Sequence, residues 1–538
     1  MPRPPLPTLL RQLHRFAPLL TLLLLLLIAT TATASPLQRP NALHIRLYEF
    51  PAHLNPLLQA GEVHYTLSAQ LFAAPLRFDA EGEAIPYLAK WWQLSEDGRE
   101  IRLQLLEGAR FHDGEPITSA DLAFSLLALR DHNPNWQLFA AIDRVETPDP
   151  HSAIIHLRHR HPAPELLLTA PLAPVLPRHI YGDGQPLRNH LANHQPVGSG
   201  PFRWTPARLP GRIELVRNED FFRPGLPHLE RVIFLREDRD SPSQLLLQHD
   251  ELQLLPYTYA GSPGFAQLRE NPELRILQAD PQEWSLTSSL VLNLDRPPLS
   301  DLRVRQALAS GIDMERILGL ISQGQDRWNR HPIPSTSPLY TPLPTPFHYD
   351  PERANALLDE AGYPRDANGI RFRLTLDTAP FGTNTKVMET LRFEYRRNLG
   401  VAVDLHHSSH FVEWATRLVR REFEMTFWLI FSFRDPLLSF HRIFHSRRPE
   451  ESEIFVNQSG YHHPQIDRLL AAAAEESEPE ARRHLYAEVQ QEIFTLLPMI
   501  PMSLVDLHHV YRKGLIGPEL SSWGTTAPYD EWRWRERE

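Results

Sequence analysis

The chain has 538 residues, 42% hydrophobic and 22% charged, enough for two or three lobes because single cores rarely grow past about 250–300 residues. Its 65 acidic and 55 basic residues leave a net charge of −10, so no overall positive field exists to draw in phosphates, and nucleic-acid binding is disfavoured. There is no cysteine, which excludes disulfides, thiol catalysis and zinc–thiolate sites; the 51 prolines and the scarcity of lysine relative to arginine read as compositional bias.

At the N-terminus, Arg3, Arg11 and Arg15 precede the apolar run APLLTLLLLLLIA at 17–29, which is short for a membrane span of about 20 residues. Ala32-Thr33-Ala34 offers the small residues read by a signal peptidase. An export signal is expected over 1–34, with a soluble periplasmic product starting at Ser35. No cysteine follows to carry a lipid.

Residues 41–50 alternate Leu43, Ile45 and Leu47 against His44, Arg46 and Tyr48, the period of a half-buried strand. The stretch PAHLNP at 51–56 ends it. Over 89–125 the order is strand, turn, strand, loop, helix. Trp91, Trp92 and Leu94 lead into a turn at Glu96-Asp97-Gly98, and Ile101, Leu103 and Leu105 carry the return strand. Asp113-Gly114 turns again, and Thr118 stands three residues before Asp121, the spacing of a capping box. In VGSGPF (197–202) the two glycines permit a tight backbone path before a strand at 213–216; no glycine stands two before Ser199, so this is not a hydrolase elbow.

A second strand-rich region follows. SLVLNLD at 289–295 reads as a strand, and Val304, Ala307, Leu308, Gly311 and Ile312 form a helical stripe capped by Asp301, with Asp313 opening a further helix. Helices are expected at 350–362, 386–398, 411–418, 464–474 and 479–497, and strands at 371–376, 401–405, 423–430 and 498–504. Alternation of this kind argues for an α/β lobe.

In order, AKWW…FHDGEPITSADL, VGSGPF with RNEDFF (217–222), and NLDRPPLSDLRVRQAL resemble the family 5 extracellular solute-binding proteins, the peptide- and nickel-binding receptors of ABC importers, over residues 42 to about 515. LQLLP at 252–256 resembles the family's D-L-L-P step, with Gln253 at the acidic position. The resemblance implies an α/β, periplasmic-binding-protein-like two-lobe fold of the peptide-receptor type with an extra accessory subdomain. Lobe I would comprise 35–75, 191–290 and 505–538, the accessory subdomain 76–190, and lobe II 291–504. The lobes would cross near 289–293 and 501–506 and close on ligand by hinge motion.

The resemblance also places a ligand site. Tyr48, Glu49 and Phe50, after the first strand, would run beside the cleft. Peptide receptors of the family carry a G-W-x-x-D-x-x-D-P-like segment whose first Asp pairs with the peptide α-amine. In FWLIFSFRDPLLSF (427–440) Trp428 and Asp435-Pro436 are kept, but Ser432 occupies that acid's position. Either Asp435 shifts to replace it, or a free amine is not read here; Arg434 could instead meet a carboxylate or phosphate bidentately. The implied partners are an oligopeptide or peptide-like ligand and an inner-membrane ABC permease, with no nucleic acid, for a monomer without cofactor.

Other chemistry finds less support. Of 27 histidines, His441 and His445 at i, i+4 and the pairs His406-His407, His462-His463 and His508-His509 could bind metal, but no H-E-x-x-H occurs. Glu450-Glu451 and Glu475-Glu476 read as solvated surface. No P-loop or Rossmann fingerprint appears, so an enzyme is not expected. The alternatives are a nickel, metal-chelate or sugar-type receptor, and a solute sensor of the same fold without a transport role. A DNA-binding regulator has no helix-turn-helix before the first strand.

Overall fold

The computed structural model describes residues 41–206, 210–237, 239–259, 261–262, 264–321, 327–380, 382–446, 454 and 456–535; the export signal expected over 1–34 and the Glu450-Glu451 pair lie outside them. Strand β1 (Ala42–Leu47) buries Leu43, Ile45 and Leu47, as its alternation requires. Helix α1 (Glu62–Leu71) follows. Then come β2 (Ala89–Leu94), β3 (Glu100–Leu105), α2 (Ser119–His132), β4 (Ile142–Asp149) and β5 (Ser152–Leu157). Gly98 takes the turn between β2 and β3 at φ +69, and the Thr118 N–H donates to the Asp121 carboxylate at 2.8 Å to open α2. These four strands form an antiparallel sheet in the order β2-β3-β5-β4. Leu122, Leu126 and Leu129 of α2 share one hydrophobic core with Leu43 and Ile45 of β1, so this region continues the core of the first sheet.

The chain then forms β6 (Phe202–Thr205), β7 (Arg212–Arg217), β8 (Arg231–Arg236), β9 (Leu254–Tyr259) and β10 (Leu274–Gln278). It continues through β11 (Trp284–Leu292), α3 (Leu302–Ser310), β12 (Arg327–Trp328), α4 (Pro351–Glu360), β13 (Phe372–Thr378) and α5 (Gly382–Leu399). The last elements used here are β14 (Val401–His407), α6 (Phe411–Val419), β15 (Met425–Phe433), α7 (Pro464–Glu475), α8 (Pro479–Leu496), β16 (Met499–Val505) and β17 (Leu507–Arg512). Asp301 and Asp350 cap α3 and α4, accepting from the N–H groups of Arg303 and Arg353 at 2.8 and 2.9 Å; such caps contribute about 1 kcal/mol each.

Two larger sheets result. One has seven strands in the order β10-β17-β9-β1-β8-β7-β6; the other has six, β12-β16-β11-β15-β13-β14. The Gln253 side chain ties β1 to the start of β9 by accepting from the His44 N–H at 2.8 Å. The chain leaves the first sheet after Gln278, enters the second at Trp284, and returns through Asp506 alone. The stretch 289–293 therefore lies at the end of β11 and just beyond it, inside the second sheet. Strand β11 starts earlier than its apolar run suggests because Ser285, Thr287, Ser288 and Ser289 break the hydrophobic pattern. All four are buried, and the hydroxyls of Ser288 and Ser503 satisfy each other across the ladder at 2.6 Å.

The two sequence signatures of the first half meet in space. The carbonyl of Leu71, ending α1, accepts from Ser199 N–H at 3.0 Å and Gly200 N–H at 2.9 Å. His112 of FHDG accepts from the Gly198 N–H at Nδ1 (3.1 Å) while its Nε2 reaches the Gly200 carbonyl at 3.1 Å. Burial pushes the His112 pKa down to about 4, which keeps it in the neutral form this pairing needs. A Cβ on Gly198 would stand 1.7 Å from the Leu71 carbonyl oxygen, whereas Gly319 in a later helix has open space. Gly198→Ala is expected to destabilise the protein by about 3 kcal/mol in thermal or denaturant melts. Gly319→Ala should be neutral or stabilising by up to about 1 kcal/mol; equal effects would contradict the seam.

Candidate functional site

Open α/β sheets hold ligands outside the carboxyl ends of their parallel strands. In the first sheet β1 runs parallel to β9, and in the second β13 runs parallel to β14 and β15. Tyr48 leaves the carboxyl end of β1, and Phe411 opens α6 soon after the carboxyl end of β14. Their ring centroids are 5.6 Å apart. Alongside, Tyr257 of β9 meets Phe431 of β15 at 5.6 Å and Trp284 at 5.7 Å, and Tyr65 of α1 meets Phe433 at 6.0 Å. These tilted and edge-on pairs form an aromatic seam where residues of the first sheet face those of the second.

The period of β15 divides the residues expected to contact ligand. Phe431 and Phe433 face the first sheet, whereas Trp428, Ile430 and Ser432 point to the opposite face. Trp428 is 1% exposed, in a core with Ile443 and Tyr486. Ser432 lines a small, largely apolar cavity with Thr287, Asn329, His331, Phe440, Ile443 and Phe444. Asp435 is buried and its carboxylate is fully engaged. Arg482 donates to both oxygens at 2.7 and 2.8 Å, and the Leu437 N–H donates at 2.9 Å. Burial alone would raise the Asp435 pKa, but the Arg482 guanidinium outweighs it and holds the carboxyl below its usual range. Arg434 is exposed and bonded to Glu283 at 3.0 Å, across the passage between the sheets. Phe50 packs, partly buried, on the first core.

His441 and His445 are both held by structural hydrogen bonds. His441 Nε2 meets the Tyr486 hydroxyl at 2.9 Å, and His445, beyond the end of that one-turn helix, bonds the Ser446 carbonyl at 2.8 Å. Among the described residues no group of three or more His, Asp or Glu is placed to hold a metal ion. Glu475 lies on the surface.

Glu49, expected from sequence, stands next to a residue that sequence gave no reason to choose. Glu62 is the first residue of α1, where an acid reads as an ordinary partner of the helix dipole. It is 2% exposed, and its Oε2 has no hydrogen-bond partner among the described residues. Burial raises the Glu49 carboxyl to about 8, with the Glu62 charge adding to the effect. Burial likewise raises Glu62 to about 8, against the opposing pull of Arg46 and the nearby Thr66 hydroxyl. Tyr48 and Tyr257 are pushed well up, first by burial and then by Glu49 and Glu62 respectively. A carboxyl raised in the folded state stabilises it below the unfolded pKa of 4.5, and that contribution is lost as pH rises through about 8. Glu62→Gln cannot ionise, so its melting temperature should gain a few degrees on wild type between pH 5 and pH 8. Parallel melting curves across that range would contradict the assignment.

The sequence profile of the bacterial extracellular solute-binding proteins, family 5 (middle region), matches residues 83–450. The di/tripeptide-binding protein 2 of Pseudomonas aeruginosa is 25% identical over 525 residues, covering 92% of this chain and 95% of its own. A dipeptide-binding protein from Pseudoalteromonas sp. SM9913, solved with Met-Leu, superposes with a TM-score of 0.80 at 20% identity, covering 92% of this chain and all of the other. NikZ from Campylobacter jejuni, solved with Ni(L-His), gives 0.79 at 22% identity, with 92% and 99% covered. No helix among the described residues is long and apolar enough to cross a membrane. By its profile match and its architecture, the chain belongs to the bacterial extracellular solute-binding proteins of family 5.

Proposed function

We propose that this protein is the periplasmic receptor of an ABC importer, capturing an oligopeptide or peptide-like solute and delivering it to an inner-membrane permease. The observation that carries the reading is the aromatic seam, made by two sheets that the chain joins only at 279–283 and Asp506. Two short passages side by side are the connection a hinge needs, and the seam is the surface a solute would part and then be enclosed by. One lobe would be built on the seven-stranded sheet with the accessory subdomain, the other on the six-stranded sheet. A peptide lying in the seam as an added strand would pair mainly through its backbone, which makes side-chain selectivity broad. The names of the relatives, among them a di/tripeptide-binding protein, support the solute class.

The export signal, the monomeric state and the permease belong to the same reading. A metal chelate is the competing cargo, and it would bring its own donors to a site with few of them. Native mass spectrometry of the protein expressed with its own N-terminus, followed by denaturing release, separates the two. The expected result is a peptide or peptide-like adduct. Recovery of a nickel chelate or a sugar, together with no heat of binding from peptide mixtures, would overturn the proposal.

A further inference from the structure

Six acidic side chains are buried among the described residues: Glu62, Asp121, Asp377, Glu394, Asp435 and Asp530. Four are compensated by arginine. Asp377 is bonded by Arg417 at 2.7 Å, Glu394 by Arg316 and Arg397 at 2.6 Å each, Asp435 by Arg482 at 2.7 Å, and Asp530 by Arg223 and Arg77. Asp121 accepts from the N–H groups of Thr118 and Arg178 at 2.8 and 2.9 Å. Glu62 has neither kind of partner, and Glu49, within its electrostatic reach, also makes no ion pair among the described residues. A buried charge left uncompensated costs several kcal/mol, so an acid of this kind is costly unless something completes it.

The groups around Glu62 are incomplete in the same way. Thr66, one turn along α1, and Thr525 are both fully buried, and their hydroxyls lack hydrogen-bond partners among the described residues. Thr66 stands beside the Glu62 carboxylate without completing a bond to it; the Tyr257 hydroxyl stands likewise beside Thr525 and within reach of the Glu62 charge. The seam lies close by, because Tyr48 and Tyr257, both within electrostatic reach of Glu62, are the residues that meet Phe411 and Phe431. Acceptors, two carboxylates and aromatic faces, with Arg46 the only opposing cation felt by Glu62 among the described residues, make a receptor for an organic ammonium group.

Resting on the peptide reading above, we propose that Glu49 and Glu62 receive the protonated amine of the solute, from the first-sheet side of the seam. This supplies the acid that Ser432 cannot, and from the opposite wall. Both carboxyls hold protons near neutral pH in the absence of ligand, so an arriving ammonium displaces a proton as it forms its ion pair: the carboxyl O–H releases H⁺ to solvent and the carboxylate meets N–H⁺. The groups that share this titration are Arg46, Tyr48, Tyr257 and Tyr529.

The test is isothermal titration of the full-length protein with tri-alanine and with N-acetyl-tri-alanine at pH 7, in two buffers of different ionisation enthalpy. The expected result is that tri-alanine binds at least tenfold more tightly than its acetylated form and releases close to one proton. Glu49→Gln and Glu62→Gln should each abolish both differences, while Glu475→Gln, on the surface, leaves them intact. Should Glu62→Gln fail to fold, Glu49→Gln carries the comparison. Equal binding of the two forms by wild type, or an unchanged preference in Glu49→Gln, overturns this assignment alone. Binding of neither form overturns it together with the peptide reading.

Discussion

The chain leaves its seven-stranded sheet at Gln278 and returns to it at Leu507, and the six strands between those residues make up the whole of the second sheet. Covalent continuity between the two is thus limited to 279–283 and Asp506. Side-chain packing among the described residues also joins them, with Tyr48 on Phe411, Tyr257 on Phe431 and Trp284, Tyr65 on Phe433, and Trp284, Phe433, Leu437 and Leu438 in the core of the first sheet. Aromatic pairs of this kind are worth about 0.5–1.5 kcal/mol each beyond their buried area. On the proposed hinge reading, that strength suits an interface that parts for a solute.

The buried charges divide along the same line. Asp435 with Arg482, and Asp530 with Arg77 and Arg223, lie within the bodies flanking the sheets, and each carboxylate is compensated by arginine. Removing one partner of such a pair typically costs 3–5 kcal/mol, so these act as fixed fastenings. Glu62, with Glu49 in its electrostatic reach, has no such partner among the described residues. On the proposal above, the solute would supply the partner that the fold supplies to the other acids.

Much of the architecture was legible in the sequence because it is written in local rules. The capping box at Thr118 and Asp121, the caps at Asp301 and Asp350, and the turn at Gly98 all stand where residue type demands them. The meeting of FHDG with VGSGPF was visible only as two separate motifs, since nothing local says that His112 reads the backbone of Gly198 and Gly200. The start of β11 was hidden by its buried serines, whose partners lie on other strands. The site was harder still. Tyr48 and Glu49 could be placed at a strand end, but the face on which Trp428 and Ser432 fall depends on the register of β15 against β11. Glu62 carries no sequence mark at all, because an acid in the first turn of a helix is common, and only tertiary burial makes this one unusual.

The absence of cysteine gives a clean route to the hinge reading. Leu191, near the first sheet, and Phe393, on α5 of the second, are 82% and 59% exposed and can be replaced by cysteine and spin-labelled without competing sites. Double electron–electron resonance on the Leu191→Cys, Phe393→Cys protein, freed of bound solute and then saturated with tri-alanine, measures the separation directly. Closure about 279–283 and Asp506 requires a broad or longer distance distribution without solute and a single narrow, shorter one with it. An identical distribution in both states, in a protein that demonstrably binds the peptide, would contradict it.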